Sequence, residues 1–419
     1  MIARFARQLS TRAAQIGLRV PSSVVCGSPA DVQRVLPLLH ELSAGAQRGT
    51  PRWAESKKKE GGKKRSESWL EITYPFSTDA NLRELYMLAD GESLRAGRFL
   101  EELDAFSADC AKRHAEAEIG ELAVVTAAHD GLHMFDSLSA VHDFRLRGAV
   151  TIVGSSSMEV RTDVLQVEGG SEVLLGSCFT VMVARDAATF DKVSVPALRG
   201  GDANSAAEEQ EALLRSRKRR ALAEQALNIQ PPTPSEVPLL HELWRHASAR
   251  ETRGRKDADA CAAASQVPMV ASEQRSLDIM QPTHRNQNGY MFGGYLMRRA
   301  LEVAWLSAFK HGRRPLRFGG LDDVTFSKPV VVGKIVEFVG RVAFVAPDGR
   351  TLRVFVEAEH VSLRTGRREA TCDFHFVFLC NGADGDAEDC PPAPQVEPVT
   401  YEETLLFLEG RRRWVAGNL

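Results

Sequence analysis

The chain contains no paired cysteine motif, no long apolar run and no excess of charge. Seven cysteines are scattered among 419 residues without a C-x-x-C pair, which argues against a zinc site or a disulfide framework and favours a reducing compartment. The apolar runs fall far short of the roughly 18–20 residues that a membrane span requires, so no integral membrane segment is expected. A net charge of -2 gives no reason to expect a nucleic-acid partner.

The histidines also lack the spacing of metal ligands. His129 and His133 are four residues apart, but they lie in strand-like sequence and are expected to lack a partner carboxylate. We therefore expect neither a metal nor any other cofactor. Cys372 and Cys380 lie in a second strand-like run, where we expect core residues and not nucleophiles.

The first twenty residues, MIARFARQLSTRAAQIGLRV, contain four Arg and no acidic residue. This composition is typical of a mitochondrial transit peptide, with the matrix as the expected location; the alternative is a disordered basic tail. Residues 21–66 form a low-complexity N-terminal segment. Its charged stretch, 48–66, is expected to be a solvated loop.

A pattern of one strand followed by one helix occurs twice. The motif L-E-I-x-x-P at Leu70–Pro75 returns as L-D-I-x-x-P at Leu277–Pro282, and Pro ends both strand-like runs. The amphipathic segments AGRFLEELDAFSA (96–108) and GGYLMRRALEVAW (293–305) follow. The charged pairs of these helices are expected on an exposed face: they are Glu101 with Glu102, and Arg298 with Arg299.

Beyond each helix the apolar period changes to two, which predicts antiparallel strands. The turn at Pro347–Gly349 indicates a hairpin. One helix wrapped by a curved antiparallel sheet is a compact α+β unit, and the sequence contains two. The expected boundaries are α+β domains at 67–190 and 266–385, a partly helical linker at 191–265 and a C-terminal tail at 386–419. One face of the last strand is expected to carry Cys372, Phe374, Phe376, Phe378 and Cys380.

The order of the motifs across both halves resembles the mitochondrial acyl-coenzyme A thioesterase 9 family. The matching segments include H-x-N-x-x-G-x-x-x-G-G at 284–294, GRFLEELDAF, FTVMVARD, FSKPVVVG and TYEETLLFLEGRRRW. The resemblance covers roughly residues 67–415 and implies a tandem double hotdog fold. It also implies hydrolysis of fatty acyl-CoA to free acid and CoA, and assembly into a homo-oligomer.

In related thioesterases an Asn and a Gly at a helix start come from one hotdog unit, and a carboxylate on the central helix comes from the other. When the two helices are overlaid, Leu301 falls on Asp104. The second half therefore has Asn286 but no acid, and the first half has the acid but Ala89 at the approximate position of the Asn. The resemblance implies one complete site, with Asp104, Asn286 and Gly293 as catalytic residues.

The chemistry suits these residue types. Asp104 would activate water as a general base or attack the thioester directly, and the helix N-terminus at Gly293 would polarise the carbonyl. Three alternatives remain open. Asn286 serves only to shape a turn, Asp104 is a surface acid, or a one-residue shift of the overlay makes Glu302 the acid.

Three further residues are expected to bind substrate: Gly294, Phe292 and Thr126, with Asp130 near Thr126 as a supporting group. Phe292 occupies a position where many hotdog enzymes have His. Three cations are available for the CoA phosphates, and nothing singles one out: they are Lys328, Arg341 and Arg353.

Two other functions compete with hydrolysis. A hotdog hydratase acting on enoyl-CoA would require an Asp/His pair in one helix or loop, which the sequence lacks. A non-catalytic acyl-CoA-binding hotdog protein would not require the complementary Asn and Asp.

Overall fold

The structure is a computed structural model of the chain. The predicted transit peptide, residues 1–20, and nearly all of the predicted low-complexity segment lie outside the described residues. The described residues are 62–115, 122–134, 139–199, 203–224, 226–227, 229–253, 266–286, 289–380 and 391–416.

The chain divides into two compact units, which are not continuous in sequence. The first unit ends its main segment at Ala212 and also includes Met280–Arg298 and Pro329–Lys334. The second unit consists of Leu213–Ile279, Arg299–Lys328 and the chain from Ile335 onward. The start of the second predicted helix therefore belongs to the first unit, and the domain boundaries read from the sequence remain a prediction.

The first unit contains a five-stranded antiparallel sheet in the order β1-β3-β4-β5-β2. The helix α2 packs against four of these strands. Gly148 of β3 permits this close approach, because a Cβ there would lie 2.9 Å from the Phe106 ring. The elements of this unit are β1 (Leu70–Tyr74), α1 (Ala80–Tyr86), α2 (Ala96–Ala115), β2 (Leu122–Met134), β3 (Asp143–Val153), β4 (Ser157–Glu168) and β5 (Ser171–Asp186). The next helix, α3 (Ala203–Glu224), begins in the first unit and ends in the second.

The second unit contains a five-stranded antiparallel sheet in the order β7-β9-β10-β11-β8. Gly340 of β9 lies against the helix α5, where a Cβ would meet Ser307 Oγ at 2.7 Å and Val303 Cγ1 at 2.9 Å. The remaining elements are α4 (Val237–Arg253), β6 (Gln266–Pro268), β7 (Gln274–Ile279), α5 (Gly293–Gly312), β8 (Leu316–Phe326), β9 (Ile335–Val345), β10 (Thr351–Val361), β11 (Arg368–Cys380), β12 (Gln395–Glu397) and α6 (Tyr401–Val415).

The two sheets have the same strand order, with β1–β5 of the first unit equivalent to β7–β11 of the second. Each sheet is accompanied by a central helix of 20 residues, α2 or α5. This is the hotdog architecture, present twice, and it confirms the predicted α+β tandem double hotdog class.

Local interactions also repeat between the units. Near the end of α2, His114 Nε2 bonds to the carbonyl of Pro196 at 2.8 Å, and near the end of α5, His311 Nε2 bonds to the carbonyl of Pro394 at the same distance. Just before the first strand of each sheet, Ser68 Oγ accepts the Val150 N–H and Ser272 Oγ accepts the Val342 N–H. Neither pair of bonds was predicted, because each joins residues more than sixty positions apart.

The predicted exposed face of α2 is wrong at Glu101 and Glu102, which are 4% and 3% exposed. Glu102 accepts hydrogen bonds from the hydroxyls of Tyr74 and Tyr86, at 2.8 and 2.5 Å. Burial raises the pKa of Glu102, and the two tyrosine hydrogen bonds oppose that rise. The sequence alone does not show that a charged residue such as Glu102 has buried hydrogen-bond donors.

Lys63 is a second departure from the sequence prediction, since it falls in the stretch expected to be solvated. It is 6% exposed, and its ammonium donates to the Arg113 carbonyl at 2.6 Å. Its backbone N–H also donates to the Ala197 carbonyl at 2.8 Å. These bonds attach the described end of the N-terminal segment to the first unit.

Two predicted features of the second unit are present, namely the hairpin and the buried face of β11. β9 and β10 form the expected hairpin, with Gly349 at a φ of +67° in the turn. Within the described residues, no helix is long and apolar enough to cross a membrane. The five alternate residues predicted to share one face of β11 are all buried: Cys372, Phe374, Phe376, Phe378 and Cys380.

Candidate active site

The carboxylate of Asp104 is the centre of a buried polar cluster in the first unit. Asp104 is 1% exposed. Its Oδ2 accepts the backbone N–H of Gly294 at 2.7 Å. Its Oδ1 accepts the Thr126 hydroxyl at 2.6 Å and lies 3.2 Å from His129 Nε2. Three hydrogen-bonding groups from two distant segments therefore fix this side chain, so Asp104 is not the surface acid of the alternative interpretation.

Gly294 permits the close packing that brings its N–H to Asp104. A Cβ at this position would lie 2.7 Å from both the Glu101 Cα and the Phe292 ring. A matching contact occurs nearby, where a Cβ on Gly97 would lie 2.7 Å from the Arg298 Cγ. Arg298 also forms an ion pair with Glu101. The first turn of α5 is therefore held tightly against α2.

Gly293 is the first residue of α5. Within the described residues its N–H makes no hydrogen bond. The N-terminal N–H groups of a helix have no partner inside the helix, and the helix dipole places partial positive charge there. This end of α5 is thus suited to stabilising an oxygen atom that gains negative charge.

Asn286 lies in the loop before α5. Its side-chain oxygen accepts the Tyr290 N–H at 3.1 Å, and its backbone N–H donates to the Tyr290 carbonyl at 2.6 Å. Asn286 therefore shapes a turn, as the alternative interpretation held. The same bonds fix the orientation of its amide, and a catalytic role for Asn286 remains a prediction.

An irregularity in β2 brings both Thr126 and His129 to Asp104. Residues three apart on a regular strand point to opposite faces. The pairing of β2 with β5 shifts between Thr126 and Ala128, so Thr126 lies opposite Met182 and His129 lies opposite Thr180. This β-bulge re-aims the strand and places both side chains on the face that carries Asp104.

His129 is the site residue that the sequence failed to identify. The expectation that it has no partner carboxylate is wrong, because Asp104 Oδ1 lies 3.2 Å from its Nε2. Its side chain is 0% exposed, and its Nδ1 lies 3.0 Å from the Thr180 hydroxyl. The contact depends on the β-bulge in β2, and the sequence alone does not indicate that bulge.

The helix overlay that selected Asp104 agrees with the helix bounds. α2 and α5 both have 20 residues, so Asp104 and Leu301 occupy the same position in their helices. Leu301 is buried, and it is apolar. The rival acid Glu302 is exposed and pairs with Arg299. These facts favour Asp104 over Glu302.

Phe292 is half-buried beside Gly294, and its N–H donates to the His284 carbonyl at 2.9 Å. The side chain of Asp130 lies outside the described residues. None of the three cations considered for the CoA phosphates lacks an ionic partner. The pairs are Lys328 with Glu369, Arg341 with Glu273 and Arg353 with Asp322.

The described residues contain no group of three His, Cys, Asp or Glu side chains arranged to hold a metal ion. The four described cysteines are free thiols inside the two units. They are Cys110, Cys178, Cys372 and Cys380.

Comparison with known proteins gives a consistent result. The chain is 30% identical over 381 residues to mitochondrial acyl-coenzyme A thioesterase 9 from Bos taurus, covering 90% of this chain and 82% of that protein. The Homo sapiens protein of the same name is also 30% identical over 381 residues, covering 90% of this chain and 81% of that protein. Mouse acyl-coenzyme A thioesterase 10, likewise named mitochondrial, is 29% identical and covers 83% and 77%.

Among solved structures, a hexameric acyl-CoA thioesterase is 27% identical and covers 36% of this chain and 94% of that one, with a TM-score of 0.34. An acyl-ACP thioesterase from Bacteroides thetaiotaomicron is 11% identical and covers 75% and 100%, with a TM-score of 0.44. No protein-family model matches the chain. On its identity to the bovine and human proteins over nearly its whole length, the chain belongs to the acyl-coenzyme A thioesterase 9 family of thioester hydrolases.

Proposed function

We propose that this protein hydrolyses fatty acyl-CoA to a free fatty acid and CoA at the cluster around Asp104. One observation carries the proposal: the buried carboxylate of Asp104 is hydrogen-bonded to the first turn of α5 through Gly294 N–H, at 2.7 Å. A carboxylate and a helix N-terminus are two groups that can catalyse thioester hydrolysis, one by acting on water or the carbonyl carbon and one by holding the developing oxyanion.

In the proposed reaction the thioester carbonyl oxygen accepts the Gly293 N–H, and Asn286 assists in orienting the carbonyl. Asp104 takes a proton from water as the water oxygen bonds to the carbonyl carbon. The tetrahedral intermediate then collapses, the C–S bond breaks and the CoA sulfur leaves as a thiolate that takes up the proton. Alternatively, Asp104 itself attacks the carbonyl carbon, the C–S bond breaks and CoA leaves as a thiolate; water then hydrolyses the resulting anhydride and restores the carboxylate. Thr126 holds Asp104 in place, and Gly294 and Phe292 line the approach to the helix end.

The competing hydratase function is disfavoured by the burial of His129. Asp104 and His129 form an Asp/His pair from a helix and a strand, but the ring is 0% exposed and both of its nitrogens face internal partners. A hydratase would need that histidine to reach the substrate. The non-catalytic binding function is disfavoured because a buried carboxylate at a helix N-terminus adds nothing to the binding of an acyl chain.

Its relatives named mitochondrial support a mitochondrial location, and we place the protein in the matrix. The arginine-rich residues 1–20 would act as the transit peptide. We also propose that the chain forms a homo-oligomer, as the hexameric structural neighbour does. Acyl-CoA is the proposed small-molecule partner.

The experiment is an acyl-CoA panel of increasing chain length, assayed by release of free thiol from the purified protein. We expect turnover without added metal or cofactor. Binding without thiol release across the whole panel would instead favour the non-catalytic acyl-CoA-binding function, and turnover that chelator abolishes and zinc restores would contradict the metal-free reaction.

A further inference from the structure

We infer that His129 is a positioning residue that fixes the Asp104 carboxylate through a chain of buried hydrogen bonds, with its proton on Nε2. This inference rests on the proposed function, because it assigns a role in turnover to a residue that does not touch the substrate.

The directions of the hydrogen bonds in the chain are consistent with one another. Ser107 Oγ donates to Thr180 Oγ1 at 3.0 Å. The Thr180 hydroxyl, with its oxygen thus engaged, donates to His129 Nδ1 at 3.0 Å. A neutral imidazole that accepts at Nδ1 carries its proton on Nε2, and that nitrogen lies 3.2 Å from Asp104 Oδ1. The donors and acceptors match at every step.

The chain is closed to solvent along its length. Ser107, Thr180 and His129 are each 0% exposed. A buried polar group that lacks a partner destabilises a protein. Each side chain of this hydrogen-bonded series is therefore held in one orientation only if every bond of the series forms. Asp104 and Ser107 are three residues apart on α2 and lie on one face of the helix. The helix therefore contributes both ends of the chain, and β2 and β5 supply the middle.

The two helix positions of this hydrogen-bonded chain are apolar in the second half of the protein. Leu301 stands at the position of Asp104 in α5, and Ala304 stands at the position of Ser107. Both are buried. The hotdog unit thus packs without this polar chain, which indicates that fold stability does not require it. The polar chain is present in the half that has the acid.

The physical role follows from the two oxygens of the carboxylate. Gly294 N–H bonds to Oδ2, whereas Thr126 and His129 both face Oδ1. With Oδ1 held from two directions, the side chain cannot rotate away from the start of α5. A misplacement of about 1 Å at a reacting group costs about 10²-fold in rate, so loss of one support is expected to reduce kcat.

The first test compares His129→Leu, which removes the donor, with His129→Gln, which keeps an N–H donor at a similar distance. We expect His129→Leu to lower kcat by about 10- to 100-fold and to change KM by less than about 3-fold, since the substrate does not contact His129. His129→Gln should recover most of kcat. A histidine that only stabilises the fold would not lower kcat at nearly constant KM in His129→Leu and restore kcat in His129→Gln. Equal kcat for the two variants would overturn the inference.

His114→Gln is the matched control. His114 is also 0% exposed in the first unit, but its Nε2 bonds to a backbone carbonyl. This variant should lower Tm and leave the kcat of the folded enzyme unchanged. Asp104→Asn is assayed alongside. An active Asp104→Asn variant would contradict the proposed function, whereas an inactive Asp104→Asn with a fully active His129→Leu would contradict only the role of His129.

The second test does not depend on activity. Nitrogen-15 NMR of labelled histidine, with the His129 signals identified by their loss in His129→Gln, reports which ring nitrogen carries the proton. We expect protonation at Nε2 alone near neutral pH and a shifted Nε2 resonance in Asp104→Asn. A proton on Nδ1, or an Nε2 resonance indifferent to Asp104→Asn, would refute the chain.

Discussion

The carboxylate of Asp104 accepts a hydrogen bond from the backbone N–H of Gly294, 190 residues later in the sequence, at 2.7 Å. Both residues belong to the first unit. A carboxylate from the middle of one helix thus meets the first turn of the equivalent helix of the second half. This single contact joins the proposed base to the helix start that is proposed to hold the oxyanion, and the predictions below test what depends on it.

Asp104→Asn should lower turnover of acyl-CoA by about 10²-fold or more, the scale for loss of a general base. Glu302→Gln is the control, because it removes the exposed acid that directly follows Leu301, the residue of α5 equivalent to Asp104. It should retain most of the activity. Steady-state kinetics of both variants decides the assignment: an inactive Glu302→Gln beside an active Asp104→Asn would move the acid by one residue.

Asn286→Ala should also lower turnover by about 10²-fold, as expected for a group that positions the carbonyl. The double variant with Asp104→Asn should be little worse than either single variant, because residues that act as a unit are not additive. Asn286 also shapes its turn through Tyr290, so Tm is measured in parallel. A large fall in Tm with unchanged kcat per folded molecule would leave Asn286 only its turn-forming role.

The parts of the fold that were predictable from sequence are those that local periodicity determines. The two central helices, the strands around them and the hairpin at Gly349 all follow from apolar spacing and turn residues. Because one pattern repeats in both halves, the sequence alone also aligns Asp104 with Leu301.

The remaining features depend on contacts that sequence spacing does not encode. The bulge in β2 decides that His129 and Thr126 share a face, against the ordinary alternation of a strand. The burial of Glu102 depends on tyrosine hydroxyls 16 and 28 residues away. The assignment of the first turn of α5 to the first unit likewise depends on packing at Gly294.

The N-terminal segment offers a test of location. Residues 1–20 fused to a fluorescent reporter should carry it into the mitochondrial matrix, because their four arginines and lack of acids are typical of a transit peptide. Replacement of Arg4, Arg7, Arg12 and Arg19 by Gln in the same fusion is the control and should leave the reporter in the cytosol. Cytosolic fluorescence from the unaltered fusion would favour the basic-tail alternative.

Gly294→Ala should be more harmful than Gly97→Ala, although at both positions a Cβ would lie only 2.7 Å from its nearest neighbour. At Gly294 the new atom would lie 2.7 Å from the Glu101 Cα, which is backbone, whereas at Gly97 it would meet the side chain of Arg298 at the same distance. Side chains move more easily than a packed helix backbone. We expect Gly294→Ala to reduce both Tm and kcat and Gly97→Ala to change either only slightly. Equal effects in thermal unfolding and kinetics would show that the two contacts are equally rigid.

Asp109 provides a pH-dependent test of stability in α2. Its side chain is 7% exposed, and burial raises its pKa to about 6 from an ordinary 3.8. The folded state favours the protonated acid, so ionisation of Asp109 lowers the free energy of unfolding. This loss is absent below about pH 4, grows between pH 4 and 6 and is complete above pH 6. Asp109→Asn should therefore raise the free energy of unfolding by about 3 kcal/mol at pH 8 and by almost nothing at pH 4. Glu302→Gln, which removes the same charge from an exposed position, should change it by less than about 0.5 kcal/mol at either pH. Thermal unfolding of the three proteins at both pH values measures the difference, and an Asp109→Asn variant that is no more stable than wild type at pH 8 would show that the ionised side chain finds compensation inside the first unit.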